Sequence, residues 1–255
     1  MLFILRHGER GDYGGPEEQK LVELSYDPHL TELGKIQARK AGDKLVQLIK
    51  GYKEYESKTE DLNYLIISSP FRRCIQTAFH VSQALPKDKI IGETIYMNEF
   101  LSEYLAELYL YKDVLNDLQI RTNPSEVHKQ VELNIQDGYP NIGDHASTPV
   151  FPERSDGIRK RLAEGYHKIR THYLDEVNKD GNVVIILVTH AYVVECFLEQ
   201  CGNFDVTKGV EYTCLSQIVF DAETGKEKIV VGQCHEQLKE AEDEYKRLTA
   251  HAHTS

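Results

Sequence analysis

The stretch LFILRHGER, residues 2–10, decides how the chain is read. Apolar Leu2 to Leu5 run straight into Arg6, His7, Gly8, Glu9 and Arg10. Residues 2–6 have the character of a short, fully buried strand, and Gly8 to Pro16 that of a Gly-rich loop. A leader peptide would explain the apolar start. So would a strand that delivers a reactive histidine into an anion pocket. The run falls well short of a signal-peptide core of roughly 7–15 residues, and no small-residue cleavage site follows it. The expectation is therefore a buried strand ending in a site.

Working outward, two more apolar runs end in the same way. YLIISS, 64–69, precedes Pro70. NVVIILVTH, 182–190, is the strongest strand candidate in the chain. Helical spacing of apolar residues marks 30–50, with Thr31 as N-cap, and 71–85, with Pro70 in its first turn. The same spacing marks 155–179 and 191–202, the latter ending at Gly202. IIGETIYM, 90–97, reads as a further strand. Residues 212–221 and 228–234 read as a hairpin around Glu223, Thr224 and Gly225. A charged helix is expected at about 235–249. Residues 98–150 are mixed, with a helical patch near 99–119 and then a polar stretch suited to a lid or insertion. Strands alternating with helices imply an α/β fold of three layers, α/β/α, with a mostly parallel sheet in the middle. Ligands in such folds sit at the carboxyl ends of the strands. Three ends carry polar side chains: Arg6-His7, Ser68-Ser69-Pro70 and Thr189-His190. If their strands are neighbours, these residues meet. One domain over 1–255 is expected, since no long linker or repeat divides it.

Composition narrows the function. The chain has 255 residues and a formal net charge of −11. That balance argues against broad nucleic-acid or anionic-membrane binding, which needs basic surface, but leaves room for one small basic pocket. No apolar stretch approaches the roughly 20 residues of a membrane-spanning helix. The cysteines are Cys74, Cys196, Cys201, Cys214 and Cys234. Scattered and odd in number, they read as reduced thiols, and hence a cytoplasmic location is expected.

The convergent residues suit phosphoryl chemistry. Arginines such as Arg6 and Arg73 offer planar paired donors to phosphate oxygens. Helix starts after Pro70 and at His190 add oriented N–H groups. One histidine can attack phosphorus as a neutral imidazole while the other stabilises the transition state. A leaving alkoxide needs a proton, and Glu99 and Glu103 follow the strand at 90–97. Taken singly, each of these residues is more simply a structural or surface group.

RHGE (6–9), DPHLTELGKIQA (27–38), SSPFRRCIQTA (68–78) and VTHAYVVE (188–195) resemble, in order, the motifs of the histidine phosphatase superfamily, the phosphoglycerate-mutase-like fold. That resemblance implies a phosphohistidine on His7. It selects Arg73 over Arg72 and makes His190 the second histidine. RHGER followed by Asp12, IYMNEFLSEYL (95–105) and EYTCLS (211–216) resemble the T-cell-receptor-suppressor and steroid-phosphate phosphatase branch. By that resemblance Arg6, Arg10, Arg73 and His190 clamp phosphate and Glu103 is the general acid/base. Asp12 then orients Arg10 or simply makes a turn. The chain lacks the Trp-Asn pair and the "NERHYG" segment usual in the glycolytic mutases.

The implied activity is a metal-independent phosphomonoesterase, with no cofactor. Its substrate is a phosphorylated small molecule or a phosphopeptide. A phosphoglycerate-type mutase and an inactive phosphate-binding module are the alternatives, and the latter requires Glu103 to point away from the pocket. A homodimer is left open, and the tail helix is expected to pack on a partner subunit or on solvent. Cys74 lies within a helix and after its arginine, the wrong place for a cysteine phosphatase. His167, His172, His251 and His253 read as solvated or terminal residues rather than metal ligands.

Overall fold

A computed structural model describes residues 1–53, 59–107, 110, 112–137, 148–169, 171, 182–202, 209–220 and 227–252. In chain order its elements are β1 (Leu2–Arg6), α1 (Pro16–Lys20), α2 (Glu32–Gly51), β2 (Asn63–Ser68), α3 (Arg72–Ser82) and β3 (Ile90–Met97). Then come α4 (Gln119–Thr122), α5 (Pro124–His128), β4 (Asn134–Asp137), α6 (Ser155–Ile169), β5 (Val183–Thr189) and α7 (Ala191–Cys201). The chain ends with β6 (Leu215–Phe220), β7 (Glu227–Cys234) and α8 (Gln237–Ala252). The strands form one sheet in the order β4-β3-β2-β5-β1-β6-β7. The first five are parallel, and β6 and β7 are antiparallel additions.

The central strands are apolar on both faces because both faces are covered. Phe3, Leu5, Ile66, Val184, Ile186 and Val188 join a core with α2 and α3. Leu2, Ile4, Leu65, Ile67, Ile185 and Leu187 join a second core with α6 and α7. The result is the expected three layers. β1 lies between β5 and β6, and β5 lies between β1 and β2. Arg6 is level with Thr189, and Ser68 is level with Val188. The three polar strand ends are therefore neighbours.

Several boundaries differ from expectation. Pro70 lies before α3, not in its first turn, because Phe71 is the N-cap. A proline disfavours helical geometry in its predecessor but fixes nothing about the helix after it. The helical patch near 99–119 is not one helix. Among the described residues there it consists of 3₁₀ turns at Glu99–Leu101 and Leu115–Asp117, with α4 beginning at Gln119. The polar stretch that follows contains β4, a mostly exposed edge strand with weak hydrophobic alternation. The described part of the 155–179 helix is α6. The hairpin turn at Glu223–Gly225, His172 and His253 lie outside the described residues. α8 packs on α2, with Ala241 fully buried and Lys40 and Lys44 paired with Glu244 and Glu236. Part of its surface is thus covered within the chain, while Leu248 is exposed. No helix among the described residues is long and apolar enough to cross a membrane.

Candidate active site

Two backbone segments must come into contact to build the floor of the site. A Cβ on Gly8 would lie 2.5 Å from the Gly34 carbonyl oxygen, and one on Gly34 would lie 2.4 Å from the Glu9 carbonyl oxygen. Only glycine at both positions permits this approach. The polar motif residues hold the contact in place. The amide of Glu9 donates to Gln37 (2.9 Å), that of Gly8 to Thr77 Oγ1 (3.0 Å), and that of Leu30 to Gln76 (2.8 Å). Thr31 caps α2 by accepting from Gly34 N and also donates to Glu9. These side chains do no chemistry themselves. They satisfy the loop that follows β1 and so aim His7.

His7 is buried, and its Nδ1 donates to the Gly8 carbonyl oxygen at 2.8 Å. Burial holds its pKa well below the usual imidazole range, and the charges of Arg73 and Arg6 and the neighbouring His190 act in the same direction. The ring is therefore neutral, with the proton on Nδ1 and a lone pair on Nε2. His190 lies edge-on to it, ring centroids 5.3 Å apart. The Nε2 of His190 meets Ser69 Oγ at 2.9 Å. Its Nδ1 lies 3.1 Å from an Arg73 nitrogen and 3.2 Å from a Glu103 oxygen.

Arg73 is 2% exposed and also donates to the Tyr26 carbonyl. It reaches Glu103 at 3.4 Å. Arg6 donates to the Val210 carbonyl and lies 4.0 Å from the centre of the Tyr212 ring, which itself stands 5.9 Å from His7. Arg10 stands further out, in a two-pronged pair with Asp12 and beside the exposed Tyr13. Both readings of Asp12 hold, since it pairs with Arg10 and lies within the 3₁₀ turn Gly11–Tyr13.

The electrostatics follow from this crowding. Burial lowers His190 to about 4, although Glu103 opposes the shift. For Glu103, burial would raise the pKa, but His190 and Arg73 outweigh it and hold the carboxyl below its usual range. Burial works against the charge of Arg10, yet Asp12 more than compensates and raises its pKa.

A ring nitrogen of each histidine and a Glu103 oxygen lie within 4.8 Å of one another, a spacing that a metal could bridge. The charges do not suit one, because the Arg73 guanidinium already approaches two of those atoms and Arg6 stands nearby. A polyanion suits the cluster better.

Every anticipated site residue except Glu99 is in or beside this pocket. Glu99 instead pairs with Arg121 and Thr148. Cys74 lies 3.5 Å from His190 Nε2, but it is wholly buried and burial pushes its thiol pKa far up, so it is no nucleophile. His167 is exposed on α6. The sequence reading placed Ser69 at a converging strand end without giving it a role, and it did not single out Tyr26 or Tyr212. Ser69 carried a signal, since it ends a strand beside the second histidine's strand. The Tyr26 carbonyl carried none, because backbone groups are the same at every residue.

Residues 2–96 match the family profile described as the histidine phosphatase superfamily, branch 1. The chain resembles a Bombyx mori ecdysone phosphate phosphatase determined with tungstate, at 18% identity over 91% of this chain and 92% of that one, TM-score 0.59. YhfR of Bacillus stearothermophilus shares 18% identity over 93% and 98%, TM-score 0.55. A mycobacterial glucosyl-3-phosphoglycerate phosphatase shares 17% over 91% and 98%, TM-score 0.51. No curated protein matches. The chain thus has the fold of these phosphatases, and its residues 2–96 carry the profile of the histidine phosphatase superfamily.

Proposed function

We propose that the protein is a phosphomonoester phosphatase working through a phosphohistidine on His7. One observation carries this reading: a neutral imidazole, fixed through Nδ1 on the Gly8 carbonyl, offers Nε2 among Arg6, Arg73 and His190. Those donors recruit the phosphate oxygens. Nε2 attacks phosphorus, the P–O bond to the leaving group breaks, and the equatorial oxygens keep their donors throughout.

Glu103 supplies the proton to the leaving oxygen. Without substrate its carboxylate is held by Arg73 and His190. An incoming dianion competes for the same donors. The carboxylate then loses the partners that keep its pKa low, gains a negative neighbour and takes up the proton it later delivers. In the second half Glu103 accepts a proton from the water that attacks the phosphohistidine. Glu103 faces the cluster rather than pointing away from it, which favours an enzyme over a binding module.

The Arg10–Asp12 pair favours the branch of the T-cell-receptor-suppressor and steroid-phosphate phosphatases, with a phosphorylated small molecule or phosphopeptide as substrate. The reading extends to a protein that needs no cofactor and works in the cytoplasm.

The test is hydrolysis of p-nitrophenyl phosphate by the wild type and by His7→Ala, in the presence of a metal chelator, with mass spectrometry of acid-sensitive phosphate on the quenched enzyme. Turnover that survives chelation, fails in the variant and leaves label on His7 is expected. Unimpaired turnover by His7→Ala would sink the proposal.

A further inference from the structure

Glu103 sits on an irregular segment, where a carboxylate would ordinarily wander. Residues 99–105 comprise one 3₁₀ turn, a bend at Ser102 and chain without regular structure. Yet nearly all of its backbone carbonyls are bound, chiefly by one buried ion pair. Arg161, on α6, and Glu153, just before it, have side chains 3% and 4% exposed. They join through two parallel bonds of 2.8 Å each. The second guanidinium edge faces the segment. Nη1 donates to the carbonyls of Phe100 (2.6 Å) and Ser102 (3.0 Å) and reaches that of Glu99 (3.5 Å). Nη2 reaches the Glu103 carbonyl itself at 3.5 Å. On the other side, Glu153 accepts from the Leu105 amide, and its own amide donates to the Leu105 carbonyl. Thr189, the residue before His190, donates to the Leu101 carbonyl at 2.6 Å.

A buried ion pair is a poor source of net stability, because desolvating two charges offsets most of their attraction. This one is spent on backbone groups flanking a single carboxylate. We infer that Arg161 and Glu153 are positioning residues that fix the Glu103 carboxylate against His190 and Arg73 for proton transfer to the leaving group. The inference rests on the role proposed for Glu103. It requires the arginine fork specifically, since a lysine ammonium cannot hold Glu153 with one edge and several carbonyls with the other.

The experiment compares kcat/KM for two substrates. Nitrophenolate leaves without a proton, whereas the alkoxide of glycerol 2-phosphate does not. Arg161→Lys, Glu153→Gln and Glu103→Gln are measured side by side, with thermal melting to establish that each is folded. Because kcat/KM stops at formation of the phosphoenzyme, it isolates the step that needs the acid. Arg161→Lys and Glu153→Gln are expected to lower kcat/KM for glycerol 2-phosphate by about 10- to 100-fold, and for p-nitrophenyl phosphate by less than about threefold. Glu103→Gln is expected to show the same selectivity, and combining it with Glu153→Gln should add almost nothing. If Glu103→Gln is selective while the other two variants lower both substrates equally, the positioning role is wrong and the reading of Glu103 survives. If Glu103→Gln shows no selectivity, both fail together. Should Arg161→Lys not fold, the near-isosteric Glu153→Gln decides alone.

Discussion

Arg73 and Arg10 are both assigned to phosphate, yet they stand in different surroundings. Arg73 is 2% exposed, starts a helix packed on the sheet, and is fixed by Tyr26, Glu103 and His190. The Arg10 side chain is 24% exposed, and its hydrogen bonds run to Asp12 within its own loop. The first belongs to a preorganised floor, where a charge acts at low dielectric and needs no rearrangement. The second belongs to the mouth, where water and salt screen it. Substitutions in the floor should therefore strike the chemical step, and those in the mouth should strike capture of the substrate.

His7→Ala should cost most, on the order of 10⁴-fold in kcat or more, because no second group in the floor can take the phosphoryl group. Single-turnover measurement with p-nitrophenyl phosphate checks this. Arg73→Ala should follow, at about 10²- to 10³-fold in kcat, since it removes donors aimed at the transferring group and leaves Glu103 and His190 without their cation. A loss confined to KM would break the distinction between floor and mouth.

Acid should act on the floor as well. Between pH 6.5 and about 4, the unfolded chain takes up a proton at His190 that the folded protein refuses. Stability should therefore fall as pH drops through that window, by on the order of 1 kcal/mol per unit, and the depressed pKa of His7 acts in the same direction. Urea unfolding at stepped pH reads this, and His190→Asn should flatten the slope. Arg10→Ala should cost only about tenfold, in kcat/KM rather than kcat, with a shallower dependence on salt. Asp12→Asn should be smallest, about threefold, because it loosens Arg10 without removing its charge.

The same contrast governs how much was legible in the sequence. The floor is written in strand ends, and strand ends are readable: an apolar run stops, a polar pair follows, and neighbouring strands place Arg6-His7, Ser69 and His190 together. Thr31, Gln37, Gln76 and Thr77 also stood within the family motifs, and the structure gives their reason as ligands of the loop backbone. The segment after β3 was harder. Glu103 could be located by resemblance, but Glu99 was an equal candidate by spacing alone. What holds Glu103 comes from residues 50 and 58 positions downstream, and it acts on carbonyls that every residue possesses. β4 was missed because an exposed edge strand needs no apolar alternation, and its pairing partner, β3, supplies the order.

The position of β1 in the sheet has a consequence for how the molecule comes into being. Its two neighbours, β5 and β6, lie at residues 183–189 and 215–220. During synthesis the strand that leads into His7 therefore waits, apolar and unpaired, until β5 and β6 have left the ribosome. Contacts of such long sequence separation form slowly, and unpaired strands invite association with other chains. The pocket can form only once β5 and β6 have been translated, so a product truncated before them should retain the first motif and none of the proposed activity.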